Sequence, residues 1–302
     1  MFLIVILILV LVYILFKGRV EGFESDSTTY DKKALICYYG GAFREGDVFS
    51  TKQDSRYGYE SQKHNSVTHS KLKEVLNEKG YQTDILINTR NTKYGNLLKS
   101  WYEPYNMIIN KLSDKIHGRD YMIQSTIDNI KKLNITDYDF ILFIRIDLFL
   151  KPGFFDVLDT ESDKINFLAN NYNPRDCINK KDNNPVVNDL FILIPKKYFY
   201  ILDSKFKLHH ESWNYLKKQY KLKDSDMTFM SDKMFDANSI IDKNPYYLMS
   251  SRKENKELHN TDKYSTNYES KDCPTYSNKQ NYLENPTDYY LNKYKSFYNN
   301  IW

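Results

Sequence analysis

The chain has little cysteine and little glycine for its length. Its 302 residues include 3 cysteines (Cys37, Cys177 and Cys273) and 10 glycines. Cysteines this few and this widely spaced cannot build a disulfide framework or a zinc cluster, and they allow one disulfide at most. The sequence also lacks a P-loop, a Gly-x-Ser-x-Gly elbow and a His-Glu-x-x-His motif, which disfavours the NTPase, serine hydrolase and zinc protease classes.

An excess of charge of one sign is also missing. The 43 Lys and Arg against 39 Asp and Glu leave a formal net charge of +4. Nucleic-acid-binding proteins use a dense positive field, so this balance argues against a nucleic acid partner. The hydrophobic residues make up 41% of the chain, which is enough to fill the core of one large α/β domain or two small ones.

The one long hydrophobic run lies at the amino terminus. Residues 2–16 carry only apolar and aromatic side chains, and Lys17 and Arg19 follow them. We predict a transmembrane helix over residues 1–19, which would make the chain a single-pass membrane protein with an N-terminal anchor. A cleaved signal peptide is the alternative, although no basic residue precedes Phe2. The flanking basic residues favour a cytoplasmic domain and the Asn134 sequon suits a lumenal one, so the side of the membrane stays open.

The rest of the chain divides into three parts by composition. Residues 20–33 are polar and predict a short stalk. Residues 34–252 alternate apolar and polar segments and predict the folded domain. Residues 253–302 form a Tyr/Asn/Lys-rich extension that either lies on the domain through its tyrosine rings or is partly disordered.

Short apolar runs alternate with helical patterns in the domain. The runs at 34–39, 84–88, 140–146, 165–169 and 190–194 predict strands, and the run at 140–146 is hydrophobic enough to be covered on both faces. Helical spacing marks the segments that contain Leu72 and Leu76, Ile123 to Ile130, 198–206 and 213–222, and Asp224-Ser225-Asp226 suits the N-cap of a helix over 227–235. This alternation predicts a Rossmann-type layered α/β sheet with helices on both faces.

Polar residues stand where two of the predicted strands end. Ligands of open α/β sheets bind beyond the carboxyl ends of the strands. At the end of the first strand, Gly40 and Gly41 let a ligand approach the backbone, and Arg44 offers a planar guanidinium to a phosphate. At the end of the most hydrophobic strand, Arg145 and Asp147 lie on the same side, where they meet either a ligand or each other as an ion pair.

Two further candidates depend on context. Asn188 and Asp189 precede the strand at 190–194 and, taken alone, predict an Asx-capped turn. Trp213 lies in a helical pattern, where an aromatic ring either supports an acceptor sugar or belongs to the core.

The order of these motifs carries a family resemblance. A strand followed by Gly-x-x-Arg comes first, then Thr83 to Thr89 (TDILINT), then Tyr138-Asp139-Phe140 leading to Arg145-x-Asp147, and then Asn188-Asp189-Leu190-Phe191. This order resembles nucleotide-sugar-dependent glycosyltransferases of the GT-A type, above all the divergent, membrane-anchored ones of large DNA viruses and surface-glycan clusters. The resemblance covers residues 33–252, and it implies a GT-A-like fold.

The resemblance also implies roles for the candidate residues. In this family an Asp-x-Asp at the end of a core strand holds Mn²⁺ or Mg²⁺ against the donor diphosphate. Asp147 corresponds to the last acid of that motif, and Arg145 replaces the first, which removes a metal ligand, adds a diphosphate donor and leaves metal dependence open. His259 corresponds to a late metal ligand. The implied donor site also includes Gly40, Gly41, Arg44, Asp84, Asn188 and Arg252.

The sequence therefore predicts a membrane-anchored glycosyltransferase. It would move a sugar from a nucleotide sugar to a glycan or glycoprotein acceptor, with Asp147 and Asp189 as catalytic carboxylates and Trp213 on the acceptor side. If transfer inverts the anomeric centre, Asp189 is the predicted base. The alternative is a non-catalytic membrane or virion surface protein whose α/β domain binds glycans or partners, and a nucleotide-dependent enzyme of another reaction type also stays open.

Overall fold

The computed structural model describes residues 30–44, 54–110, 118–171, 187, 190–208, 212–235, 246–249 and 291–298. The predicted anchor at 1–19 lies outside these residues, as does most of the predicted stalk. Within the described ranges, no helix combines the length and the apolar character needed to cross a membrane.

The centre of the fold is a seven-stranded sheet in the order β3-β2-β1-β4-β7-β6-β8. Strands β1 to β4 are parallel, β7 is antiparallel to both of its neighbours, and β6 and β8 are parallel to each other. The strands are β1 (Lys32–Gly40), β2 (Tyr81–Arg90), β3 (Asn106–Asn110), β4 (Phe140–Arg145), β6 (Ile165–Asn171), β7 (Phe191–Pro195) and β8 (Met227–Phe235). A second sheet pairs β5 (Leu148–Leu150) with β9 (Tyr247–Met249) in antiparallel fashion.

Helices cover both faces of the main sheet, as the sequence predicts. On one face, α1 (Arg56–Glu78) and α2 (Gly95–Tyr102) bury leucines and a tyrosine against alternate residues of β1 such as Ile36. On the other, α3 (Gly118–Ile130) and α5 (Ser212–Tyr220) pack against the intervening residues such as Leu35. A short helix, α4 (Pro152–Val157), follows β5. The central strands are therefore buried on both sides, which explains their continuous hydrophobicity.

The structure corrects three sequence expectations. The segment 227–235 is not a helix, because Asp224–Asp226 form a 3-10 turn and β8 then pairs with β6. The segment predicted as helical from 198 begins instead as a 3-10 turn, Lys196–Ile201. The first strand begins at Lys32, inside the predicted stalk, because Lys32 and Lys33 pair with Tyr81 and Gln82.

The last described element returns to the domain. Helix α6 (Lys295–Tyr298) lies within the predicted C-terminal extension. The Tyr298 side chain is buried, its ring packs edge-on against Phe149, and its hydroxyl donates a hydrogen bond to the Leu150 carbonyl oxygen. This part of the extension therefore packs on the domain through a tyrosine ring.

Candidate functional site

The topology places a ligand crevice at the carboxyl ends of β1 and β4. The chain adds β2 and β3 on one side of β1 and then crosses to add β4 on the other side. Open α/β sheets bind ligands at such a reversal point, beyond the carboxyl ends of the strands. Tyr39 of β1 is the register partner of Arg145 of β4, and the Ile146 amide donates a hydrogen bond to the Tyr39 carbonyl oxygen at 2.9 Å. Two of the predicted motifs therefore meet at one rim.

Gly40 shows how closely the two motifs approach. It has a φ of +117°, and a Cβ at this position would lie 3.9 Å from Cγ2 of Ile146. L-residues with a side chain rarely adopt this conformation, so the turn out of β1 requires glycine. Gly41 is buried beside it, and Arg44 ends the described part of this loop. The structure thus brings Gly40 and Gly41 to the rim formed by Arg145 and Asp147.

Arg145 and Asp147 form a bidentate ion pair. Nε of Arg145 donates to Oδ1 of Asp147 at 2.8 Å, and Nη2 donates to Oδ2 at 2.6 Å. The exposed fraction is 17% for the Arg145 side chain and 3% for that of Asp147. The two side chains point to the same side, as the sequence predicts. Of the two alternatives for them, a ligand contact or a mutual ion pair, the structure shows the ion pair.

The loop after β1 is held by the amino-terminal end of α1. The Asp54 amide donates to the Phe43 carbonyl oxygen at 3.0 Å, and Ser55 caps the helix by accepting from the Gly58 amide at 2.9 Å. A Cβ on Gly58 would lie 2.2 Å from that same Phe43 oxygen. Asp54 also accepts hydrogen bonds from the Thr92 hydroxyl and the Lys93 amide, which ties the loop after β2 to the same corner.

Sequence reasoning missed a set of functional candidates on α1. The described helix starts at Arg56, whereas the periodic leucines indicate only its second half. Its first half buries polar side chains, namely Ser61, Gln62, His64, Asn65, Ser66, Thr68 and His69. Gln62, Asn65 and His69 recur at a spacing of three and four residues, which is the helical signal that could have revealed them had polar residues been counted.

Gln62 connects both rim motifs. Its Oε1 accepts a hydrogen bond from the Phe43 amide at 3.4 Å, and its Nε2 donates to the Ile146 carbonyl oxygen at 3.1 Å. The same Nε2 donates to the Tyr102 hydroxyl at 2.9 Å, and Nδ2 of Asn65 donates to the Ile146 oxygen at 3.4 Å. The turn that carries Asp147 is therefore hydrogen-bonded to α1 as well as to β1.

His69 continues this network as a neutral ring. The Tyr102 hydroxyl and Nδ1 of His69 are 2.8 Å apart, and the His69 ring stacks on Tyr38 with centroids 4.4 Å apart. Either the Tyr102 hydroxyl donates to an unprotonated Nδ1 or a protonated Nδ1 donates to the hydroxyl, according to the tautomer of the ring. Burial lowers the pKa of His69 to about 3, and the backbone of Leu148 and the charge of Asp147 partly oppose this shift.

The other predicted site residues do not join this cluster. Asp84 lies near the amino end of β2, opposite Leu35, which is four residues before Tyr39 and ~13 Å from it along the strand. There it binds Lys33 at 2.8 Å and accepts from the Tyr138 hydroxyl at 2.7 Å. The resemblance assigned Asp84 to the donor site, but its place at the far end of the sheet separates it from Arg145.

Trp213 belongs to the core and not to an open surface. It is 6% exposed, its ring stacks on Phe229 with centroids 4.8 Å apart, and its Nε1 donates to Asp224 at 2.9 Å. A covered ring cannot stack on a sugar, so the packing alternative describes this residue. Asn188, Asp189, Arg252 and His259 lie outside the described residues.

The described residues at the rim do not make a metal-binding group by themselves. Both oxygens of Asp147 accept hydrogen bonds from Arg145. Within the described ranges, no three His, Cys, Asp or Glu side chains converge as metal ligands. The positive charge beside Asp147 is that of Arg145.

The chain is similar in structure to several solved enzymes, whereas no family model and no curated protein matches its sequence. One is a nucleotide-diphospho-sugar transferase from Desulfovibrio desulfuricans, with 10% identity, a TM-score of 0.41 and coverage of 89% of this chain and 98% of that one. Another is a variant of Drosophila β1,4-galactosyltransferase 7 in complex with manganese, UDP-Gal and xylobiose, with 10% identity, a TM-score of 0.37 and coverage of 85% and 83%.

A third similar structure is that of an enzyme named as a synthase. It is 4-diphosphocytidyl-2C-methyl-D-erythritol synthase from Anaerococcus prevotii, with 14% identity, a TM-score of 0.36 and coverage of 68% of this chain and 89% of that one. Because the identities and TM-scores are this low, the reaction of this chain has to be argued from its own residues.

We expect Gly58→Ala to destabilise the domain by ~1–3 kcal/mol, because the new methyl group would overlap the Phe43 carbonyl and displace the loop after β1. Elsewhere in a helix this change is usually stabilising. Gly95→Ala is the matched control, since its Cβ would meet only the flexible ends of two side chains, Ile109 at 3.2 Å and Met107 at 3.9 Å. Urea denaturation of both variants measures the difference, and equal stabilities would contradict the close approach at Gly58.

We expect acid to destabilise the protein through His69. The pKa of His69 is about 3 in the folded chain and near its ordinary value of 6.5 in the unfolded one. Between these values the unfolded chain binds one more proton, so stability falls as the pH drops below 6.5, by up to ~1.4 kcal/mol per pH unit. His69→Phe keeps the stacking on Tyr38 and removes the proton site. Urea denaturation between pH 7 and pH 5 should show a shallower slope for this variant, and identical slopes would rule the effect out.

Proposed function

We propose that this chain is a glycosyltransferase that uses a nucleotide sugar as donor. The observation that carries the proposal is the Arg145–Asp147 ion pair at the carboxyl end of β4, next to the glycine turn that ends β1. Desolvation offsets most of what a buried ion pair contributes to stability, so stability alone gives little reason for a pair at this position. A ligand crevice at the reversal point of the sheet gives it a use.

The rim suits a diphosphate. The planar guanidinium of Arg145 can bind phosphate oxygens in bidentate fashion, and α1 begins beside the loop after β1, so the positive end of its dipole lies at the same corner. In the proposed reaction an acceptor hydroxyl attacks the anomeric carbon, the bond to the diphosphate breaks, and the nucleoside diphosphate leaves with negative charge. Arg145 stabilises that charge, and Asp147 fixes the orientation of the guanidinium.

The acceptor side of the proposal comes from sequence. Asp189 is assigned as the general base that takes the proton of the acceptor hydroxyl. It immediately precedes Leu190, whose carbonyl oxygen accepts a hydrogen bond from the Arg145 amide at 3.1 Å. The acceptor is a glycan or a glycoprotein, as the family resemblance implies.

A second part of the proposal is that the enzyme is anchored in a membrane. Residues 2–16 would form the anchor, because the burial of fifteen consecutive apolar side chains strongly favours the bilayer over water. Alkaline carbonate extraction should leave the full-length protein in the membrane pellet. Its release into the supernatant would contradict the anchor and leave the proposed activity intact.

The activity is tested by donor turnover. The full-length protein in detergent is incubated with UDP-, GDP-, ADP- and dTDP-sugars, with and without Mn²⁺, and release of the free nucleoside diphosphate is measured. At least one donor should be hydrolysed faster than in a heat-inactivated control. Binding of a nucleotide sugar without turnover would support the non-catalytic glycan-binding alternative, and transfer of a nucleotidyl group would point to another reaction type.

The role of the ion pair is tested by removing one charge or both. Asp147→Asn leaves the Arg145 charge without its partner and should cost ~3–5 kcal/mol of stability. The double variant Arg145→Met, Asp147→Leu removes both charges and should fold with stability near that of the unmodified protein. If the pair serves the donor, turnover by this stable double variant should still fall ~10²-fold or more. A stable double variant with full turnover would show that the pair has no part in the reaction.

A further inference from the structure

We propose that Gln62, Tyr102 and His69 form a brace that positions the donor site, so that these buried residues of the first two helices are positioning residues for the reaction. The inference rests on the proposed function, because it concerns the same rim. None of the three belongs to the sequence motifs, and all three side chains are buried.

The first argument is that one side chain binds both halves of the rim. Gln62 accepts from the Phe43 amide in the loop after β1 and donates to the Ile146 carbonyl in the turn after β4. These loops carry Arg44 and Asp147, which are separated by about a hundred residues of chain. A shift in the Gln62 amide would therefore change the distance between the two loops.

The second argument is that the Gln62 amide is itself held in place. Its Nε2 donates to the Tyr102 hydroxyl, which is also hydrogen-bonded to Nδ1 of His69. The Tyr102 ring packs edge-on against Tyr38 of β1 at 5.2 Å, and the His69 ring stacks on the same Tyr38. The brace thus starts from the central strand, crosses two helices and ends at the turn that carries Asp147.

The third argument compares the two halves of α1. Its second half buries Leu72 and Leu76 against the sheet and needs no polar group for packing. The part of the helix before Leu72 buries amides and imidazoles, although apolar residues would fill the same space at a lower desolvation cost. Directional bonds are what Gln62 and Asn65 add, and their bonds to Phe43 and Ile146 end at the loops of the proposed site.

The brace predicts a specific kinetic effect. Tyr102→Phe keeps the ring and removes the hydroxyl that accepts from Gln62 and is hydrogen-bonded to His69. The loops would then be less well fixed, and donor KM should rise ~10-fold or more, because misplacement of a binding loop by about 1 Å can cost up to ~10²-fold. Gln62→Met, which removes both loop contacts at nearly constant volume, should raise donor KM at least as far.

A matched control separates positioning from general stability. Tyr81 is as deeply buried as Tyr102, and its hydroxyl also makes two hydrogen bonds, to the Thr160 carbonyl at 3.2 Å and to Glu161 at 3.0 Å. It lies at the amino end of β2, far from the rim. Tyr81→Phe should lower the melting temperature about as much as Tyr102→Phe, but it should leave donor KM unchanged.

The experiment measures donor KM and kcat, the melting temperature and local hydrogen exchange for all three variants, with the donor that the turnover assay identifies. Faster exchange confined to 40–44 and 146–150, together with a raised KM, supports the brace. If Tyr102→Phe and Gln62→Met are folded and both have an unchanged donor KM, the proposed brace is wrong. If the unmodified protein hydrolyses no donor, the proposed function fails, and the exchange data still decide whether the three residues hold the turn.

Discussion

The burial of a polar helix face against the carboxyl ends of β1 and β4 is the constraint on which the rest of the structure depends. Backbone groups that leave a sheet edge need partners, and buried polar side chains need them as well. Here each supplies the other, since Gln62 and Asn65 bind the Ile146 carbonyl that follows β4. Helix α1 is therefore fixed by hydrogen bonds at one end and by leucines at the other. The same contacts bring the two rim loops together.

The stability contribution of the Arg145–Asp147 pair is set by two opposing terms, the desolvation of the two charges and their mutual attraction. Either charge alone at this depth would be strongly destabilising, whereas the pair is close to neutral for stability. Because each charge of the pair is the counter-ion of the other, neither needs a bound ligand to be neutralised. Two carboxylates held as close as this would repel each other, so one of them would have to bind a proton or a cation. The guanidinium of Arg145 supplies that cation within the chain itself.

The sequence predicts those features whose energy comes from local patterns. Strands β1, β4 and β7 are continuous apolar runs because both of their faces are covered, and they lie where the pattern places them. Strand β8 has no such run. Its strand conformation comes from pairing with β6, and the local sequence pattern gives no information on that pairing. The polar part of α1 was not predicted for a related reason, because the hydrogen-bond partners of its side chains are distant in sequence.

The same distinction between local and long-range signals applies to the residues of the candidate site. Gly40, Arg145 and Asp147 were predicted to share one rim because they end or follow buried strands, and the carboxyl ends of parallel strands share one edge. The structure brings the three residues together at that edge. Asp84 was carried over by motif order, but its register with Leu35 places it at the other edge. Gln62, Tyr102 and His69 follow no strand at all. The bonds of Gln62 reach the loops after β1 and β4 across long stretches of chain, and Tyr102 and His69 are connected to these loops through Gln62. Their relation to the rim therefore exists only once the sheet has formed. Residues at strand ends can thus be placed from the sequence, whereas residues that connect two distant loops require the assembled fold.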